Sequence, residues 1–104
     1  IVQVVLPSSL SLMAEQGNTA FDANCASCHG PNGSGRDGLA PPLIHKIYEP
    51  SHHSDMSFTL AVRQGVRAHH WRFGNMAPVE GVSETSIESI IAYIRELQRV
   101  NGIY

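Results

Sequence analysis

Ile87, Ile90, Ile91, Ile94 and Leu97 recur at three- and four-residue steps, which lays one apolar stripe along a helix. Ser83 offers an N-cap, and Glu84 puts negative charge in the first turn, where the helix dipole favours it. Arg95 and Arg99 lie towards the other end, and Asn101-Gly102 stops the helix. A weaker pattern of Ala14, Gly17, Ala20 and Phe21 predicts a helix from about Ala14 to Ala23. A third, short helix is expected through Phe58, Leu60, Ala61 and Val62, capped by Asp55 or Ser57 and ending near Gly65. No stretch alternates long enough to read as a strand, and no segment repeats.

The intervening sequence reads as loop. Gly30-Pro31-Asn32-Gly33-Ser34-Gly35 holds too many breakers for regular structure, and loop character continues to Pro42. Residues 50–54 and 67–81 are loops on the same grounds. Residues 1–13 have no helical period and include Pro7, Ser8, Ser9 and Ser11; they are expected to form a tail or docking arm ahead of a domain over 14–104. The fold class is therefore all-α, three to four helices with long loops. Loops of that length in a small domain need something to organise them.

Composition narrows the classes. The 104 residues suit one domain, and 42% hydrophobic with 15% charged marks a globular chain, not a disordered one. A chain this short buries a modest core, to which a large apolar cofactor would add. The net charge is −2, and the basic residues, Lys46 and six Arg, are scattered. That excludes a nucleic-acid surface, a polybasic membrane anchor and a dense lysine docking ring. No apolar run reaches the roughly eighteen residues a membrane span requires. Ile1 to Leu6 is apolar but short, has no basic region before it and meets Pro7. With no initiating Met, the chain is expected to be a processed product whose export signal has gone.

The chemistry is concentrated in Cys25-Ala26-Ser27-Cys28-His29. C-x-x-C-H is the attachment signature of c-type haem. Two thiols one short turn apart reach the two vinyl groups of one porphyrin, and the next histidine is delivered to the iron. The alternatives are a redox dithiol, which usually opens a helix after a strand and finds no strand here, and a zinc site, which would have to recruit two histidines. Candidates for a second axial ligand are Met13, Met56, Met76 and the histidines 45, 52, 53, 69 and 70. Met76 is preferred: it lies in the turn-rich loop Gly74-Asn75-Met76-Ala77-Pro78 upstream of the last helix, and a thioether is a soft iron ligand. A neutral thioether favours ferrous iron, and a filled sixth position leaves no site for oxygen or substrate, which argues for electron transfer over catalysis. The paired histidines His52-His53 and His69-His70, with His45, are candidates for a copper or zinc site or a pH response if their loops meet, and otherwise are loop histidines.

Over residues 14–104 the sequence resembles the class I cytochromes c, particularly the small bacterial periplasmic ones. The residues that carry the likeness are Gly17, Phe21, the Cys25–Gly30 motif, Pro41-Pro42-Leu43, Met76 and Ala92-Tyr93-Ile94. The resemblance implies a cytochrome c fold around one covalent haem c, its iron held by His29 and Met76. It implies first and last helices crossing at Gly17, Phe21 and Tyr93. It also implies that the Pro41 carbonyl accepts the His29 Nδ1–H, that Leu43 packs on the ring, and that Trp71 donates to a propionate, with Arg67 and Arg72 as further propionate partners. One departure is Ala77, which separates Met76 from Pro78 where the family often has Pro directly after the ligand. The implied activity is that of a periplasmic, monomeric, non-enzymatic carrier passing single electrons between redox partners such as a dehydrogenase, reductase or oxidase. The alternatives are a dedicated enzyme subunit docked through residues 1–13, and a ligand-binding haem protein with a displaceable Met76.

Overall fold

The computed structural model describes residues 2–67 and 75–104, and four helices run through them: α1 (Leu12–Asn24), α2 (Ala26–His29), α3 (Asp55–Gln64) and α4 (Glu84–Val100). Short 3-10 turns at Pro31–Gly33 and Lys46–Tyr48 punctuate the loops. Among the described residues no strand forms, only isolated bridges of Arg36 with Ala40 and of Val66 with Met76. None of the described helices is long and apolar enough to cross a membrane.

The helix boundaries follow from local capping. Ser83 caps α4, its hydroxyl accepting the Ser86 N–H at 3.1 Å. Helix α1 starts at Leu12, two residues earlier than its apolar pattern suggests, because the Ser11 hydroxyl accepts the Ala14 N–H at 3.1 Å. At α3 the N-cap position is Ser54 and not Asp55 or Ser57; its carbonyl accepts the Ser57 N–H at 2.9 Å, while Asp55 is drawn to Arg95. The last turn of α3 closes on Gly65, whose φ of 77° suits glycine.

Helices α1 and α4 cross at Gly17 with their backbones in close approach. A Cβ on Gly17 would lie 1.8 Å from the Ser89 carbonyl oxygen and 2.9 Å from Tyr93 Cβ. One turn further along α1, Phe21 meets Tyr93 with ring centroids 5.6 Å apart. Around that crossing Ala14, Phe21, Ile87, Ile90, Tyr93, Ile94 and Leu97 are buried, and the loop residues Leu43, Ile44 and Tyr48 close the core from the other side. Each buried Ile, Leu or Phe side chain contributes about 1.5–3 kcal/mol.

The first residues also lie against the body. Val2 N–H donates to the Ser34 carbonyl at 3.0 Å. Val5 and Asn101 exchange two hydrogen bonds, backbone N–H to Oδ1 at 2.8 Å and Nδ2 to backbone carbonyl at 2.9 Å. Ser11 donates both its N–H, at 3.0 Å, and its hydroxyl to the Glu96 carboxylate. Between these points Val4 and Leu10 pack on the core.

The crossing sets a sharp expectation for Gly17→Ala. The added methyl meets backbone, which cannot rotate away, so the loss should reach or exceed the usual overpacking range of about 1–3 kcal/mol. A lower guanidinium midpoint with an unchanged slope would report it; an unaltered midpoint would contradict the close approach.

Candidate functional site

Helix α1 runs directly into the cysteine-histidine motif. Cys25 leaves the helical region at φ −124°, ψ −32°, and the chain re-enters a single turn, α2, that carries Cys28 and His29. Both thiols are free, Cys25 half-buried and Cys28 exposed. His29 is half-buried, and its Nδ1 lies 3.0 Å from the Pro41 carbonyl oxygen. With the proton on Nδ1 the ring donates to Pro41, and the Nε2 lone pair is left for a metal. Burial lowers the His29 pKa, partly opposed by the bond to Pro41, which favours the neutral ring.

Pro41 reaches His29 because residues 30–44 fold back on themselves. Gly35 N–H donates to the His29 carbonyl at 2.6 Å, Leu43 N–H donates to the Gly33 carbonyl at 2.8 Å, and Arg36 and Ala40 form their bridge between. Asn32, at φ 58°, turns the chain in the left-handed region that Asn tolerates. Its Oδ1 accepts the Tyr93 hydroxyl at 3.0 Å, so α4 holds the loop three residues after His29. Burial, with Asp22 nearby, pushes the Tyr93 hydroxyl up to about 12, which keeps it a donor.

The next loop is held from the end of α4. Gln98 Nε2 donates to the carbonyls of Leu43, at 3.1 Å, and Tyr48, at 2.9 Å. Arg95, only 6% exposed, donates to Asp55 Oδ1 at 2.8 Å, Tyr48 carbonyl at 2.7 Å, Gln98 Oε1 at 2.8 Å and the His53 carbonyl, with its guanidinium over the Phe58 ring. Sequence reasoning placed Arg95 as an ordinary C-terminal charge and passed over Gln98. The available signal was positional: Ile87-Ile91-Arg95 and Ile90-Ile94-Gln98 are i+4 rows, so both polar residues continue the apolar stripe.

Met76 is half-buried and is held by its pairing with Val66. Val66 and Met76 exchange backbone bonds of 2.9 and 2.7 Å, Val79 N–H donates to the Val62 carbonyl at 2.8 Å, and Arg63 donates to the Val82 carbonyl at 3.0 Å. A Cβ on Gly65 would be 2.4 Å from the Met76 carbonyl oxygen, so this approach too needs glycine. Met13 and Met56, the other methionines, are 44% and 61% exposed. Leu43 is buried in the core. Trp71, with His69, His70 and Arg72, lies outside the described residues.

The remaining histidines are engaged locally. His45 Nδ1 accepts the Ile47 N–H at 3.1 Å, His52 Nδ1 is 2.9 Å from Glu49, and His53 Nδ1 is 2.7 Å from the Ile47 carbonyl with its ring on Tyr48. Among the described residues no group of three or more His, Cys, Asp or Glu side chains could hold a metal ion.

The donor set at the motif fits c-type haem. It offers two unbridged thiols beside a neutral imidazole with one nitrogen tied to a carbonyl. It suits a nucleophilic dithiol poorly, because burial and the neighbouring Cys28 push the Cys25 thiol up to about 11, whereas a reactive thiol needs the opposite shift. The family model described as Cytochrome c matches residues 14–98. No curated protein matches the chain.

Two substitutions probe the bracing. Arg95→Met removes the guanidinium that donates to Gln98 Oε1 and to the Tyr48 and His53 carbonyls, while Asp55 is two-thirds exposed and stays solvated. The loss should be on the order of 3 kcal/mol, carried by the buried acceptors and little changed by salt. Tyr93→Phe should cost about 1 kcal/mol at neutral pH. The hydroxyl titrates higher in the fold than in the unfolded chain, so its contribution is complete below pH 10 and is lost as pH rises from about 10 to about 12. Denaturation midpoints across that range should therefore fall less steeply in Tyr93→Phe than in the parent.

Proposed function

Because the chain belongs to the cytochrome c family, we propose that it is a periplasmic, monomeric carrier of single electrons whose haem c is bonded to Cys25 and Cys28 and ligated by His29 and Met76. The observation that carries this reading is the motif geometry, with both thiols beside an imidazole whose Nδ1 stands 3.0 Å from the Pro41 carbonyl. Cys25 and Cys28 would hold the haem through thioether bonds, so that it would not dissociate. When bound, haem supplies an iron that alternates between ferric and ferrous.

The protein's own groups keep that exchange cheap in structural terms. Pro41 fixes the His29 ring and makes it a better donor to iron. Leu43 and Ile44, both buried, exclude water from the adjoining core, and Gln98 and Arg95 hold their loop in place. Met76 rides on a segment pinned at Val66, Val62 and Arg63. Ligands on braced loops move little when the charge changes. His29 and Met76 would together hold the iron and leave no site for substrate, and the donors and acceptors would be redox proteins such as a dehydrogenase, reductase or oxidase.

A dedicated enzyme subunit docked through residues 1–13 shares all of this chemistry. In that reading the Val5–Asn101 and Ser11–Glu96 bonds would hold the arm against the body as part of the docking surface.

Substitution of Met76 by Ala tests the ligation. The ferric parent should show the weak far-red iron–methionine charge-transfer band, and the reduced parent should bind carbon monoxide slowly or not at all. In Met76→Ala the band should vanish and carbon monoxide should bind fast, with the haem still retained in acidified organic solvent. A band that survives the substitution would assign the sixth position to another residue.

A further inference from the structure

His29 and Met76 are braced from different helices. The Pro41 loop is clamped by side chains of α4, whereas the Met76 segment meets the end of α3. Residues there take hold of it in turn. Val66 and Met76 exchange backbone bonds of 2.9 and 2.7 Å, and the Val62 carbonyl accepts the Val79 N–H at 2.8 Å. Gly65 lets the segment come so near that a Cβ would stand 2.4 Å from the Met76 carbonyl oxygen and 3.1 Å from the Pro78 nitrogen. These contacts are backbone to backbone. Arg63 adds a side chain, its Nη1 donating to the Val82 carbonyl at 3.0 Å.

What that bond joins gives Arg63 its weight. Val82 is 4% exposed, belongs to the core and directly precedes Ser83, the cap of α4. It is a fixed point. Helix α3 is held less firmly, since of its residues only Val62 is buried. Its first turns are tied to α4 by the Asp55–Arg95 pair and by Phe58 beneath the same guanidinium. Arg63 lies about 12 Å further along the helix, at 1.5 Å per residue, and ties the other end of α3 to the start of α4. The donor is charged and the acceptor belongs to a buried residue, which places the bond in the stronger class. Among the described residues no carboxylate stands within ion-pair distance of Arg63, so the bond to Val82 is not the by-product of a salt bridge.

We propose that Arg63 is a positioning residue for Met76: by tying the end of α3 to Val82 it holds the segment from which the methionine sulfur is offered to the iron. This role depends on Met76 being the sixth ligand and adds what keeps it there. A competing ligand binds in proportion to the fraction of molecules whose segment has opened. Held firmly, the segment keeps small neutral ligands out; loosened, it admits them. Arg63 thus sets how far this chain behaves as a carrier and how far as a ligand-binding haem protein.

The probe is imidazole, titrated into the ferric holoprotein at neutral pH and followed by absorbance. Arg63→Met keeps the apolar stem of the side chain but donates nothing. It should start with the far-red iron–methionine band and bind imidazole about tenfold more tightly than the parent, the loss of one charge-assisted bond expressed in the open fraction. Ser11→Ala removes the cap of α1 and so weakens the whole fold at a place that does not touch the Met76 segment; it should bind imidazole as the parent does. In Met76→Ala no segment has to open, so adding Arg63→Met should change the imidazole constant by less than about twofold. Parent-like binding in Arg63→Met, an equal gain in Ser11→Ala, or a tenfold effect of Arg63→Met that persists without Met76 would each overturn the proposal and leave the ligation standing. A parent with no far-red band would remove the ligation itself, and this role with it.

Discussion

The fold depends on the crossing of α1 over α4 at Gly17, where even one methyl group would strike the Ser89 carbonyl. Much of the rest is arranged from α4, while the Met76 segment is tied to the end of α3. Where α1 leaves the crossing it ends in the cysteine-histidine motif, so the place at which two helices touch also determines where the thiols and the imidazole stand. From the same helix, Tyr93 reaches the loop after the motif, Gln98 and Arg95 reach the next loop, and Glu96 and Asn101 hold the first residues of the chain. A single long helix thus serves as the beam to which the segments without regular structure are tied.

This arrangement explains how a domain of this size supports so much irregular backbone. Loops expose peptide groups that must be satisfied, and here the buried acceptors are met by α4 side chains. Among the described residues no buried side-chain polar atom lacks a partner. The His29–Pro41 contact is the functional end of that bracing. Pro41 stands beside the imidazole because its loop is closed at Gly33–Leu43 and clamped at Leu43 by Gln98. Rigidity at His29 and satisfaction of the backbone are one structural solution.

Much of this was legible in the chain itself. The stripe from Ile87 to Leu97, with Ser83 ahead of it, announces α4 because apolar periodicity and capping agree. The motif announces its chemistry because no common structural role needs that spacing. The tertiary uses of polar residues were not legible. Ser11 caps α1 and binds Glu96 at once, and Asp55 serves Arg95 more than its own helix, and both depend on elements far away in sequence. Arg95 and Gln98 were hidden for a related reason: a polar residue on an apolar stripe reads as an interruption until the loop carbonyls it satisfies are known. The first residues carried no periodic signal because they are held by discrete hydrogen bonds to Ser34, Asn101 and Glu96.

What remains decisive is the number of electrons the motif handles. A potentiometric titration of the purified protein, followed by absorbance, separates the chemistries that two cysteines and a histidine allow. Iron held by this chain should give one reversible transition of about 59 mV per decade, the slope of a one-electron couple. A transition of about 30 mV per decade would mean that the two thiols themselves are the redox group, and would contradict a haem bonded to Cys25 and Cys28.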